Sequence, residues 1–160
     1  MNAGEEIRSQ LGSLGGRKAI ILGVGNSLKG DDGAGPRVCE LLRGETSAEV
    51  IDAGTVPENY IQKIVGKGPE VLLVVDAVDF GGQAGALRVL RPEQLDSVVI
   101  STHTLSPRVF VDMICGQIDV GVYFIGVQPA QVGLGEEMSG AVADSVNELA
   151  DILAEIFAVQ

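Results

Sequence analysis

Two adjacent carboxylates, Asp31 and Asp32, lie in a loop that is rich in glycine. The loop follows an apolar segment and has four glycines within eleven residues, namely Gly25, Gly30, Gly33 and Gly35. Such a density of glycine indicates unusual backbone angles or a close approach of the backbone to another group. A pair of acids in such a loop favours a functional site over an ordinary turn.

Three further acids come at the ends of predicted strands. Asp52 ends one strand, and Asp76 and Asp79 follow the apolar run VLLVV at 71–75. Since ligands of open α/β sheets bind at the carboxyl ends of the strands, these acids are expected on the same rim as the glycine loop. The single histidine, His103, lies in the sequence STHTLSP before a predicted helix and could return to that rim.

Two carboxylates and one imidazole form a plausible open metal site, suited to nickel, zinc, iron or copper. Ordinary structural roles remain open for the same residues. His103 could cap a helix or lie in the core, and Asp31 or Asp32 could accept hydrogen bonds within a tight turn. Asp52 precedes Ala-Gly and fits a turn residue, so it is left out of the site, and Asp79 fits a supporting or solvated position.

Apolar strands that alternate with amphipathic helices predict the framework of the site. Strands are expected at 19–24, 50–51, 71–75, 86–90 and 120–127, with helices after Pro36, Pro57 and Pro107 and a last helix near the C-terminus. Short helical connections require parallel main strands, and Arg88 marks its strand as an edge strand. The expected fold is α/β and doubly wound, with a mostly parallel, five-stranded twisted sheet, helices on both faces and three αβα layers.

The domain organisation expected from the sequence is simple. Residues 1–17 end in a glycine-rich stretch and are predicted to form a flexible N-terminal extension. Residues 18–160 are long enough to bury a core and are predicted to form a single domain.

The charge balance restricts the partners of the protein. Eleven Lys and Arg against 22 Asp and Glu give a formal net charge of −11. A field of that sign disfavours nucleic acid and anionic membranes and favours a metal ion or a basic peptide. Two distant cysteines and the absence of a signal-peptide pattern or a long apolar run favour a cytoplasmic protein, with a monomer as the default.

Other catalytic and binding motifs do not fit this sequence. Gly23-x-Gly25 resembles the start of a dinucleotide fingerprint, but Leu28 occupies the position of the third glycine. There is no Gly-x-Ser-x-Gly elbow and no His-Glu-x-x-His motif. No set of residues matches a serine, cysteine or zinc protease.

Several segments together resemble one family. The motifs GVGNSLKGDDGAG at 23–35, LLVVDAVD at 72–79 and STHTLSP at 101–107 resemble those of the nickel-iron hydrogenase maturation endopeptidases. The stretches IDAGTVPEN at 51–59 and GVQPAQVGLGEEMS at 126–139 resemble the branch that serves the hydrogenase of formate hydrogenlyase, hydrogenase 3. The similarity covers about residues 18–157, and the first motif is highly specific.

The resemblance implies a cytoplasmic peptidase of the aspartic type. Its partner would be a hydrogenase large-subunit precursor, from which it would remove a C-terminal extension after nickel insertion. The nickel, supplied by the precursor, would be recognised by the residues that match the family's motifs, Asp32, Asp76 and His103. Asp31, Gly25, Asn26 and Gly33 would support them.

The cleavage chemistry and two competing functions stay open at this point. The nickel could act as anchor and Lewis acid, or one carboxylate could act as general base while the metal only gates access. The competing functions are a non-catalytic metal-binding or chaperone module of hydrogenase assembly and a small metal-dependent phosphohydrolase.

Overall fold

The structure is a computed structural model that describes residues 2–100 and 105–160. Its strands are β1 (Ala19–Val24), β2 (Glu49–Gly54), β3 (Val71–Ala77), β4 (Leu87–Leu90) and β5 (Gly121–Val127). Its helices are α1 (Ala3–Leu11), α2 (Ala34–Leu42), α3 (Ile61–Lys67), α4 (Pro107–Cys115) and α5 (Gly140–Ile156). Short 3₁₀ turns lie at Gly12–Leu14, Gly30–Gly33, Pro57–Tyr60 and Pro92–Ser97.

The five strands form one sheet in the order β2-β1-β3-β5-β4. The pairs β1–β2, β1–β3 and β3–β5 are parallel, and only β4 runs antiparallel, along the edge of β5. The predicted edge position of this strand is therefore confirmed. Arg88 on β4 is exposed, and its guanidinium lies 4.4 Å from the centre of the Phe80 ring.

Apolar side chains cover both faces of the sheet, which confirms the predicted three layers. In β1 all six residues are buried, and successive side chains point to opposite faces. Ile21 packs with residues of α1, α2 and α5 on one face, whereas Ile20 and Leu22 pack with residues of α3 and α4 on the other. The uninterrupted apolar run at 19–24 thus reflects a strand buried on both sides.

The N-terminal residues differ from the prediction of a flexible extension over 1–17. Residues 3–11 form α1, whose capping box joins Asn2 and Glu5. Ile7 and Leu11 are fully buried in the core cluster that contains α5, and Leu14 joins them. Their spacing of four and three residues places them on one helical face, so the segment is part of the domain that begins before residue 18.

Two boundaries near the predicted site also differ from those expected. Asp31 and Asp32 lie on a 3₁₀ turn rather than in an open loop, and α2 begins at Ala34, two residues before Pro36. Strand β3 continues to Ala77, so Asp76 lies within the strand, opposite Gly126 of β5.

No helix in the described part of the chain combines the length and the apolar character needed to cross a bilayer.

The packing of α1 predicts the effect of shortening a buried side chain in this helix. Leu11→Ala leaves a cavity against α5 and is expected to lower the free energy of unfolding by about 2–5 kcal/mol. Urea denaturation followed by circular dichroism measures this change. The control Gln10→Ala, on the exposed side of the same helix, should stay within about 0.5 kcal/mol of the parent protein. Equal stability of the two variants would mean that α1 does not belong to the core.

Candidate active site

The glycine loop lies between the carboxyl ends of β1 and β3. Gly25 has φ +147°, and a Cβ atom at this position would collide with the carbonyl oxygen of Asp32. A Cβ atom at Gly35 would collide with the carbonyl oxygens of Val24 and Val75, the latter next to Asp76. Only glycine allows the turn that carries Asp32 to pack this closely on both strand ends.

Asp32 is fully buried, and its carboxylate is held at the end of β1. Its Oδ2 atom accepts a hydrogen bond from the backbone N–H of Asn26 at 2.9 Å. The side chain of Asn26 in turn accepts one from the N–H of Leu28 at 2.9 Å. These bonds close the loop around the carboxylate and set its orientation.

Asp31 is also fully buried, but it points to a different partner. Its Oδ2 atom accepts hydrogen bonds from the N–H groups of Ala130 and Gln131 and from the hydroxyl of Ser139 at 2.8–3.0 Å. Its Oδ1 atom accepts one from the N–H of Ser139 at 2.7 Å. These four bonds join the 3₁₀ turn to the segment before α5, where Ser139 is also the N-cap. The contacts give Asp31 a structural role that fits the predicted supporting position.

Asp76 is the third buried acid of this region. It lies near the end of β3, one residue beyond the pairing of Gly23 with Val75. The 3₁₀ turn that carries Asp32 lies beside β3. Asp32 and Asp76 are therefore both buried at the carboxyl ends of adjacent parallel strands, where the sequence placed them.

His103 lies outside the described residues, so its place in the site stays a prediction. Before it, Val99 forms an antiparallel bridge with Asp79, with N–H···O distances of 2.9 and 3.0 Å in the two directions. After it, the described chain resumes at Leu105. Within residues 2–100 and 105–160, no three His, Cys, Asp or Glu side chains are grouped so that they could hold a metal ion.

The two acids left aside by the sequence analysis have local roles. Asp52 lies within β2, opposite Gly23 of β1, and not in a turn after the strand as predicted. It is exposed, and its Oδ1 atom accepts a hydrogen bond from the N–H of Gly54 at 3.0 Å. Asp79 is also exposed and accepts hydrogen bonds from the Gln128 side chain and the N–H of Gly81, each at 3.0 Å. These two bonds lower the pKa of Asp79 because they stabilise its charged form.

Gln128 is a structural residue that the sequence analysis missed. It is buried at the end of β5, and its Oε1 atom accepts hydrogen bonds from the N–H groups of Phe80 and Gly82 at 2.9 and 3.1 Å. Its amide therefore fixes the loop after β3. The available signal was a polar side chain directly after a buried strand.

The two thiols are poor candidates for a nucleophile. Cys39 is buried and donates a hydrogen bond to the carbonyl of Ile51, and burial raises its pKa to about 12. Burial, together with the charges of Asp112 and Asp119, also raises the pKa of Cys115. Both side chains are protonated at neutral pH, whereas a thiolate is the nucleophilic form.

An open groove of about 510 Å³ adjoins the 3₁₀ turn. Its walls include Ser27 of the glycine loop, Arg37 of α2 and Glu137 of the segment before α5. The groove is large enough for a few residues of a polypeptide. Gly30 and Gly33 of the 3₁₀ turn line it, whereas Asp32 and Asp76 do not. The described residues thus provide buried acids, which a carboxylate-based peptidase needs, and a groove beside the turn that carries one of them.

The contacts of Asp31 predict a large stability change when its carboxylate is removed. Asp31→Ala removes the acceptor of three backbone N–H groups and one hydroxyl and should lower the free energy of unfolding by about 3 kcal/mol. Asp52→Ala, which removes one exposed contact with the N–H of Gly54, is the matched control and should cost less than about 1 kcal/mol. Urea denaturation of both variants makes the comparison. Similar losses would contradict the structural role of Asp31.

The contact between Gln128 and Asp79 predicts a pKa change. Because the folded pKa of Asp79 is lowered, its stabilising contribution is present above the unfolded pKa and is lost as the pH falls through the folded pKa. Gln128→Met should move the pKa of Asp79 up towards its ordinary value, as measured by NMR titration of the carboxyl carbon. Gln131→Met, a change nearby that spares the contact between Gln128 and Asp79, should leave the pKa of Asp79 unchanged.

Comparison with known proteins shows which family this chain belongs to. A family model described as hydrogenase maturation protease matches residues 36–156. The hydrogenase 3 maturation protease of Escherichia coli K12 is 37% identical over 131 residues, which cover 79% of this chain and 83% of that protein.

Two solved structures are also similar. The [NiFe] hydrogenase maturation protease HycI from Thermococcus kodakarensis has a TM-score of 0.84 and 31% identity, covering 97% of this chain and 98% of that one. The endopeptidase HycI from Escherichia coli has a TM-score of 0.78 and 34% identity, covering 86% and 90%. With the family model and the curated relative, these likenesses show that the chain belongs to the hydrogenase maturation protease family, a family of endopeptidases.

Proposed function

We propose that this endopeptidase removes a C-terminal extension from the large-subunit precursor of a [NiFe] hydrogenase once nickel has been inserted. We further propose that Asp32, Asp76 and His103 recognise the nickel that the precursor carries. The observation that supports this assignment is the burial of Asp32 and Asp76 at the ends of adjacent strands. Asp31, by contrast, has its oxygens engaged by four hydrogen bonds.

The metal in this proposal belongs to the substrate. Carboxylate oxygens and an imidazole nitrogen are suitable ligands for a nickel ion that keeps other ligands in the precursor. Contact between the precursor's nickel and these side chains would place the scissile peptide bond beside the site, which lowers the entropic cost of reaction. A precursor without nickel would lack this anchor and would be left uncut.

The hydrolytic step requires a group that accepts a proton from the attacking water. Asp32 and Asp76 are the buried carboxylates available for that role, and general base catalysis of this type contributes about 10²–10⁴-fold to a rate. The alternative is that the precursor's nickel activates the water and the carboxylates hold only the metal. The two mechanisms predict different behaviour of an Asp76→Asn variant. If Asp76 is the general base, the variant still binds the nickel-loaded precursor but does not cut it. If the carboxylates hold the metal, the variant also binds the precursor less well.

Location and assembly state are part of the same proposal. Both cysteines are free thiols. Free thiols are usual in a reducing compartment, which supports a cytoplasmic enzyme. A monomeric state stays a prediction, to be measured by sedimentation.

The substrate proposal is tested by mixing the purified protein with nickel-loaded and with nickel-free precursor and recording intact masses. We expect a short C-terminal peptide to be lost from the loaded precursor only. Absence of cleavage in both mixtures would contradict the peptidase function and favour a binding or chaperone role. Cleavage of both forms would contradict recognition of nickel.

The residue assignment is tested by isosteric substitutions. Asp32→Asn and Asp76→Asn should each lower the cleavage rate by at least about 100-fold, because they remove a charged ligand or the base. Asp151→Asn changes an exposed acid on α5, away from the groove, and should cleave at the parent rate. An Asp76→Asn protein that binds loaded precursor normally without cutting it would identify Asp76 as the base. Full activity of Asp32→Asn would refute the assignment.

A further inference from the structure

Large apolar side chains are exposed on the loops beside the proposed catalytic carboxylates. Leu28 on the glycine loop is 68% exposed, and Leu134 before α5 is 75% exposed. Val99 and Val132 are exposed as well. We call these four residues the apolar rim. Solvent contact of such side chains is unfavourable, and a cluster of them on a folded protein indicates an interaction surface.

The four residues of the apolar rim lie on neighbouring segments of the chain. The N–H of Gly135 donates to the carbonyl of Leu28 at 2.8 Å, which brings Leu28 beside the loop that carries Leu134. At the other end, Val99 and Val132 line one pocket of about 160 Å³ together with Ala77, Pro129 and the exposed Asp79. This volume is close to that of a single aliphatic side chain.

The loop that carries Val132 and Leu134 is fixed by polar contacts. Asp31 holds the N–H groups of Ala130 and Gln131, and its own N–H donates to the carbonyl of Gln131 at 2.8 Å. Farther along, the N–H of Gly133 donates to the side chain of Glu136 at 3.1 Å. A surface held in place before binding avoids much of the entropic cost of ordering a loop.

The position of the apolar rim indicates what covers it. Ala77 in its pocket is the residue after Asp76, and Leu28 lies on the loop that wraps around Asp32. A polypeptide that reaches these carboxylates therefore lies across the apolar rim. A second copy of this chain fits less well, because two molecules that each carry a net charge of −11 repel one another.

We propose that the apolar rim is the docking surface for an apolar segment of the precursor next to the bond that is cut. One aliphatic side chain of that segment enters the pocket between Val99 and Val132. This inference rests on the proposed function and adds a substrate-binding surface that is separate from the metal-recognising residues. Docking through this surface contributes to substrate binding rather than to the chemical step.

The test uses kinetics with the nickel-loaded precursor. The double variant Leu28→Ser, Leu134→Ser should raise KM by about tenfold or more and leave kcat within about twofold, because it removes buried apolar area from the complex. Val132→Phe, which fills the pocket, should have the same signature. The matched control is Val159→Ser, which is 65% exposed. It follows the end of α5, where Phe157 accepts hydrogen bonds from Thr46 and Ser47, which precede β2 and so lie at the amino ends of the parallel strands, away from the rim.

A second arm varies the precursor. Aliphatic residues on both sides of the cut are replaced by serine one at a time, and each altered precursor is assayed with the parent enzyme and with Val132→Phe. One replacement should raise KM with the parent enzyme and have little further effect with Val132→Phe. Such non-additivity identifies the side chain that enters the pocket.

The outcomes separate this inference from the proposed function. A parent protein that cleaves the precursor, with apolar-rim variants of unchanged KM and unchanged melting temperature, overturns the docking surface alone. A parent protein that neither binds nor cleaves loaded precursor overturns both proposals. A parent dimer that the double variant converts to monomers in sedimentation assigns the surface to self-association and also overturns the inference.

Discussion

The carboxylate of Asp31 joins two parts of the chain that lie about a hundred positions apart in sequence. It accepts hydrogen bonds from Ala130, Gln131 and Ser139, which are 99 to 108 residues away. A buried charge is tolerated only when it is well supplied with donors, and here three backbone N–H groups and one hydroxyl provide them. This contact positions the 3₁₀ turn, the loop before α5 and the N-terminus of α5 relative to one another.

The structural contacts of Asp31 also position the neighbouring acid, Asp32, to which we assign the proposed function. With Asp31 fixed against the distant loop, the turn holds Asp32 at the end of β1, beside the strand that carries Asp76. Glycines at 25 and 35 leave the space for this packing, since a side chain at either position would collide with backbone. The same loop presents Val132 and Leu134, so one buried carboxylate supports both the site and the proposed docking surface.

The α/β fold explains why these residues meet. Parallel strands of adjacent position bring their carboxyl ends to one rim, and the doubly wound order β2-β1-β3-β5 places β1 next to β3 at its centre. This strand order alone is enough to bring Asp32 and Asp76 to the same rim. Gln128, directly after β5, then fixes the loop after β3 through the N–H groups of Phe80 and Gly82.

The sequence by itself determined which segments form strands, the edge position of β4, the rim of the sheet at which the acids lie, and the family. Apolar periodicity and local motifs carry that information. It did not separate the tasks of Asp31 and Asp32 by physical reasoning, since their donors come from residues a hundred positions away. Only the tertiary structure decided that Asp31 is a structural contact and that Gln128 orders the loop after β3. It also decided that residues 3–14 belong to the core: Ile7 and Leu11 gain their partners only when α1 packs beside α5, and that pairing is invisible to a local pattern.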